Sequence, residues 1–112
     1  MALNLTLIFD RFSQRGGPIL STNKLAFDYV QASLADELHP FSVPLSEPVH
    51  WLEDGSDSSP RKTDMYGDPL HFVSATHLVP KLAVIAKTPW EKAVVAFVGA
   101  LPPDARVILW WH

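Results

Sequence analysis

Hydrophobic and polar positions alternate at the start of the chain. Leu3, Leu5, Leu7 and Phe9 fall on one side of an extended segment, and Asn4, Thr6, Ile8 and Asp10 on the other. This predicts a strand over 3–9, in a sheet with one covered face and one more open face. Arg11 to Pro18 reads as a loop broken by Gly16-Gly17-Pro18. The period then changes. Phe27, Val30, Leu34 and Leu38 recur at helical spacing, while Lys24, Asp28, Gln31 and Glu37 lie elsewhere. Ser21, Thr22 and Asn23 offer N-caps and His39-Pro40 a stop, which predicts a helix over 22–38.

Pro40, Pro44 and Pro48 mark an extended connection, followed by a short strand over 49–52. Residues 53–69 are acidic, small and rich in breakers, and read as a long polar loop. Leu70–Val73 resumes as a strand. Ser74 is placed to cap a short helix that includes Leu78, with a break or a new turn expected at Pro80. Leu82–Ile85 suits helix and strand equally. Thr88-Pro89-Trp90-Glu91 is the strongest local signal: Thr and Glu three apart form a capping box, and proline fits the first helical position. That helix runs to about Leu101, with Ala93, Val94, Phe97, Val98 and Leu101 toward the core. After Pro102-Pro103-Asp104, Arg106–Trp111 is the last strand.

These elements predict one α+β domain over residues 1–112. It is a two-layer sandwich with a four-stranded, mainly antiparallel sheet, two main helices and an extra short helical segment. The order β-α-β-β-α-β is the ferredoxin-like one, and this architecture hosts many unrelated activities.

Composition narrows the chemistry. The 112 residues include no cysteine, which removes disulfides, thiolate metal sites and cysteine nucleophiles. Nine Lys and Arg stand against twelve Asp and Glu, for a net charge of −3, and no basic run exceeds two residues. Nucleic acid is therefore not an expected partner, since phosphate-backbone binding needs a basic face. No apolar stretch approaches the roughly 20 residues that span a bilayer. The N-terminus lacks the basic start and continuous apolar run of a secretory signal, so the expectation is a cytoplasmic protein without membrane contact.

Catalytic motifs are absent. Gly16-Gly17 has neither phosphate-loop nor dinucleotide spacing, the serines include no G-x-S-x-G elbow, and the five histidines include no HExxH. No metal site or cofactor is expected. The segment from Asp64 to His71 concentrates groups suited to acid–base work, although Gly67-Asp68-Pro69 is equally well read as a turn.

The final strand gives the other candidate. Val107, Leu109 and Trp111 share one face, and Arg106, Ile108 and Trp110 the other. One helix layer cannot cover both tryptophans, so Ile8, Ile108 and Trp110 are candidates for a partly open apolar patch. The same residues suit a face covered by the long loop or by 82–85. The leading functional expectation is a non-catalytic protein-interaction module, a homo-oligomer or a protein that caps a partner. The alternative is a small enzyme or ligand binder using Tyr66, Asp68, His71 and His77.

Overall fold

A computed structural model describes residues 2–9, 24–46, 49–53 and 57–112. The architecture is α+β. Five antiparallel strands form the main sheet in the order β2-β1-β7-β6-β3: β1 (Ala2–Ile8), β2 (Lys24–Gln31), β3 (Val43–Pro44), β6 (His71–Ser74) and β7 (Arg106–Trp111). A separate hairpin pairs β4 (Val49–Glu53) with β5 (Asp57–Arg61). The helices are α1 (Ser33–Leu38), α2 (Ala75–Ile85) and α3 (Pro89–Ala100). A 3-10 turn over His39–Phe41 extends α1.

The expected helix over 22–38 is instead β2 followed by the six-residue α1. A bulge explains the difference. Leu5 pairs with Asp28 but Thr6 pairs with Ala26, so β2 carries one extra residue at this point. The bulge shifts the inward phase from Phe27 to Val30, a spacing of three. Both are buried, at 1% and 5% exposure. With Leu34 and Leu38 following on α1, the run imitates one continuous helical face. Asp28 compensates for the broken ladder by accepting the Tyr29 backbone N–H at 2.8 Å.

The strand over 49–52 exists, as β4, but it pairs with β5 and not with the main sheet. Residues 53–69 are therefore not one loop. Asp57-Ser-Ser-Pro-Arg61 is poor in strand-forming side chains, which hid β5 from a pattern reading. With β2 in place of the first helix, five strands in the sheet and this added hairpin, the ferredoxin-like order is not what the described elements build.

Helix α2 runs through Pro80 without a break, and 82–85 are helical. Pro80 lacks the N–H that would reach back to the Thr76 carbonyl. Both residues are exposed, so water can serve that carbonyl. Ser74 precedes α2, but its side chain makes no cap bond. The first amides of α2 are taken instead by carbonyls of the turn before β7: Ala75 N–H to Ala105 O at 2.9 Å, and Thr76 N–H to Pro103 O at 3.0 Å. The capping box of α3 is complete, with Glu91 N–H donating to Thr88 Oγ1 at 3.1 Å and Thr88 N–H to Glu91 Oε1 at 2.9 Å. Val94 and Val98 are buried on α3, whereas Ala93 and Phe97 lie outward of the expected core face. Phe97 still covers Phe9 edge-on, with ring centroids 5.1 Å apart.

Strand β7 lies at the centre of the sheet, between β1 and β6. A central strand is covered on both faces, which accounts for its nearly unbroken apolar run. One face packs Leu5, Leu7, Phe27, Val73, Val107 and Leu109 against α1, α2 and α3. The other gathers Ile8, Leu70 and Ile108, with Leu45, Phe72 and Trp110 against them. The sheet edges are blunted in different ways. β3 is only two residues long and ends in proline, and at β2 the Trp90 indole N–H donates to Ala26 O at 2.7 Å. No described helix is long and apolar enough to cross a membrane.

Candidate functional site

The turn at 64–68 is organised by one carboxylate. Asp64 Oδ1 accepts the backbone N–H of Tyr66 at 2.8 Å and of Asp68 at 3.2 Å. Asp64 N–H in turn donates to Asp68 O at 2.9 Å, and Gly67 N–H to Asp64 O at 3.2 Å. Gly67 has φ +84°, a left-handed conformation that side chains rarely adopt, so glycine is required here by backbone angle and not by space. Met65 N–H donates to Trp111 O at 3.2 Å, which ties this turn to the end of β7.

Between this turn and α1 lies a cavity of about 500 Å³. Leu3 of β1, Leu109 and Trp111 of β7, and Ala35 and Leu38 of α1 provide apolar walls. The polar side is made by Asp64, Tyr66, Asp68 and His71, together with His39 and Ser42 from the segment after α1. His71 pairs with Leu109 in the sheet register, so both side chains project to the same face.

His71 is held in a defined state. The Ser42 hydroxyl donates to His39 O at 2.9 Å, which uses its single hydrogen. The 3.0 Å contact between Ser42 Oγ and His71 Nδ1 is therefore a bond donated by the imidazole. Nδ1 carries the proton and Nε2 keeps its lone pair. Burial is the main cause that lowers the His71 pKa, and nearby His39 adds to it; the Asp64 and Asp68 charges oppose them. A neutral imidazole whose Nε2 takes no bond among the described residues can accept a hydrogen bond or a proton from a group in the cavity. It does not activate Ser42, whose hydrogen points elsewhere.

Of the sequence-derived pocket residues, Tyr66, Asp68 and His71 meet at this cavity. His77 does not line it; it is exposed on α2 and stacks on Phe41, with centroids 4.8 Å apart. Ser42 carried no sequence signal, because a serine in a proline-rich connection looks like any other. His39 looked like a helix stop.

The interface candidates Ile8, Ile108 and Trp110 do form one cluster, and Ile8 pairs with Ile108 in the β1–β7 register. Ile8 and Ile108 are each 0% exposed, with Leu45, Leu70 and Phe72 packed into the same cluster. Trp110 is half-buried and stacks on His112 at 4.6 Å. Leu45 after β3 and Leu70 before β6 thus contribute cover to this face. No group of three or more His, Asp or Glu that could hold a metal occurs among the described residues. No protein-family model, no curated protein and no solved structure matches this chain.

Proposed function

We propose that this chain is a small-ligand-binding domain whose site is the cavity between α1 and the 64–68 turn. The observation that carries the reading is the cavity itself. At about 500 Å³ it lies within the size range of ligand sites, and its lining combines apolar walls with a few polar groups. Two of those groups are preset: Asp64 by its turn and His71 by Ser42. Preset groups bind without an ordering cost, which favours recognition over surface chance.

A fragment titration followed by backbone amide NMR tests this. Expected perturbations cluster at Tyr66, Asp68, His71 and Trp111, and Ala35→Trp, which fills the cavity from α1, removes them while the far-UV circular dichroism stays unchanged. Perturbations that map elsewhere, or that survive Ala35→Trp, overturn it.

A second reading, a self-associating protein-interaction module, rests on a different surface from the one expected. Ile8 and Ile108 are closed off, but Trp90 and Phe97 on α3 are 51% and 44% exposed, and Val84 on α2 is 83% exposed. Trp90 and Phe97 are seven residues apart and so share one face of α3, and exposed aromatic side chains are enriched at protein contacts. Sedimentation equilibrium on wild type and Val84→Asp decides it: a dimer lost in the variant supports association, and a monomeric wild type removes it.

A further inference from the structure

We infer that the ligand of this cavity is an organic ammonium ion with an aromatic or aliphatic body. The inference rests on the cavity being a ligand site. Among the described residues, Asp64 and Asp68 are the acidic members of the lining, and no lysine or arginine joins them. Asp64 is 9% exposed, a nearly buried carboxylate. Its Oδ1 is committed to the turn, and Oδ2 takes no bond among the described residues. The second oxygen of this carboxylate is thus left to accept from a donor in the cavity that Asp64 lines.

The neutral His71 adds a second acceptor, through Nε2, and no positive charge. An ammonium group has three N–H donors and no acceptor, which matches an acceptor-rich wall. Leu3, Leu38, Leu109 and Trp111 line the same cavity, with Leu109 beside His71 in the sheet register. These surfaces stabilise a hydrocarbon body, and an indole face also attracts a cation. A bare divalent ion fits poorly, because it takes about six or more oxygen ligands and gains nothing from leucines. A carboxylate or phosphate ligand would meet like charge from both aspartates.

The test is calorimetric titration at neutral pH with three ligands of one shape: phenethylamine, phenethyl alcohol and phenylacetate. The expected order is amine, then alcohol, then acid, with the amine favoured over the alcohol by roughly tenfold. Added salt weakens the amine alone. Asp64→Asn keeps an oxygen for the two turn amides while removing the charge, and Asp68→Asn removes an exposed charge outside the core. Each variant lowers amine affinity severalfold and lowers alcohol affinity by a smaller factor, so the amine preference shrinks. Asp68→Asn carries the test if Asp64→Asn does not fold.

Equal affinity for amine and alcohol, or tightest binding of phenylacetate, overturns the ammonium inference and leaves the cavity reading standing, provided that Ala35→Trp abolishes the binding. Absence of heat and of amide shifts with all three ligands, or binding unaffected by Ala35→Trp, overturns both.

Discussion

The two faces of the sheet are built from the same strands and yet have different depth. Among the described residues, the helix-covered face holds sixteen buried residues in one cluster, closed by α1, α2 and α3. Of the same described residues, the opposite face holds three, with Leu45, Phe72 and Trp110 only partly buried around them. It also carries a polar patch. Thr6 is 4% exposed and its Oγ1 lies 2.7 Å from His112 Nε2, beside the Trp110–His112 stack. Secondary structure covers the first face, whereas the second depends in part on connecting segments, including residues next to the 64–68 turn. An apolar strand centre thus needs two layers, and among the described residues the second is the thinner.

The largest effect belongs to the deep face. Phe27→Ala is expected to cost about 3–5 kcal/mol in denaturant unfolding, since it opens a void that three helices and the sheet cannot collapse around. On the thin face Leu70→Ala is expected to cost about 2 kcal/mol, the low end for such a change, because its half-exposed neighbours can relax inward. Equal losses for the two variants would show the faces to be cores of equal weight.

The deep face also depends on how its lid is started. Thr88→Ala removes the α3 cap and is expected to cost about 1 kcal/mol. Backbone bonds from Thr88 and Lys87 hold the Glu91 pKa below its ordinary value. A depressed carboxylate stabilises the fold above its unfolded pKa, and that contribution is lost as pH falls through the folded value. Acid unfolding of Glu91→Gln should therefore show less pH dependence below about pH 4.3 than wild type.

The smallest effect samples both faces at once. His71 lines the cavity on the helix side and His112 lies on the other, and burial is the leading cause lowering both pKa values from 6.5. The unfolded chain binds more protons in the window below 6.5, so stability present above that value declines as pH falls toward the folded pKa values. Urea midpoints measured across this window should slope downward on acidification, and His71→Gln and His112→Gln should each flatten part of the slope. A slope that survives both substitutions would place the titrating group elsewhere.

Local signals carried much of the fold. The alternation of 3–9, the capping box at Thr88 and the two-faced last strand all depend on neighbouring residues, and each appears where the pattern put it. What the pattern misread had a non-local cause. Phe27 and Val30 are three apart because of a bulge set by pairing with β1, and spacing alone does not distinguish a bulged strand from a helix turn. Pro80 looked like a helix end, but its exposure lets the unbonded carbonyl meet water. Three of the four pocket candidates converge because the Asp64 turn returns to β7. The fourth, His77, lies on the far side of a helix start, and Ser42 joins only through tertiary contact. Composition is silent on such contacts.

The bulge in β2 bears on which changes in chain length this fold tolerates. Removing Asp28 would place Phe27 opposite Leu5 and leave Val30 opposite Leu3, so the strand would become regular with the same side chains facing inward. The change would be felt mainly as the loss of the extra twist that a bulge gives an edge strand. Inserting one more residue at the same place would reverse the phase of everything between it and the end of the strand. The segment from Phe27 to Tyr29 is thus open to shortening by one residue and closed to lengthening by one, an asymmetry that related sequences of different length would record.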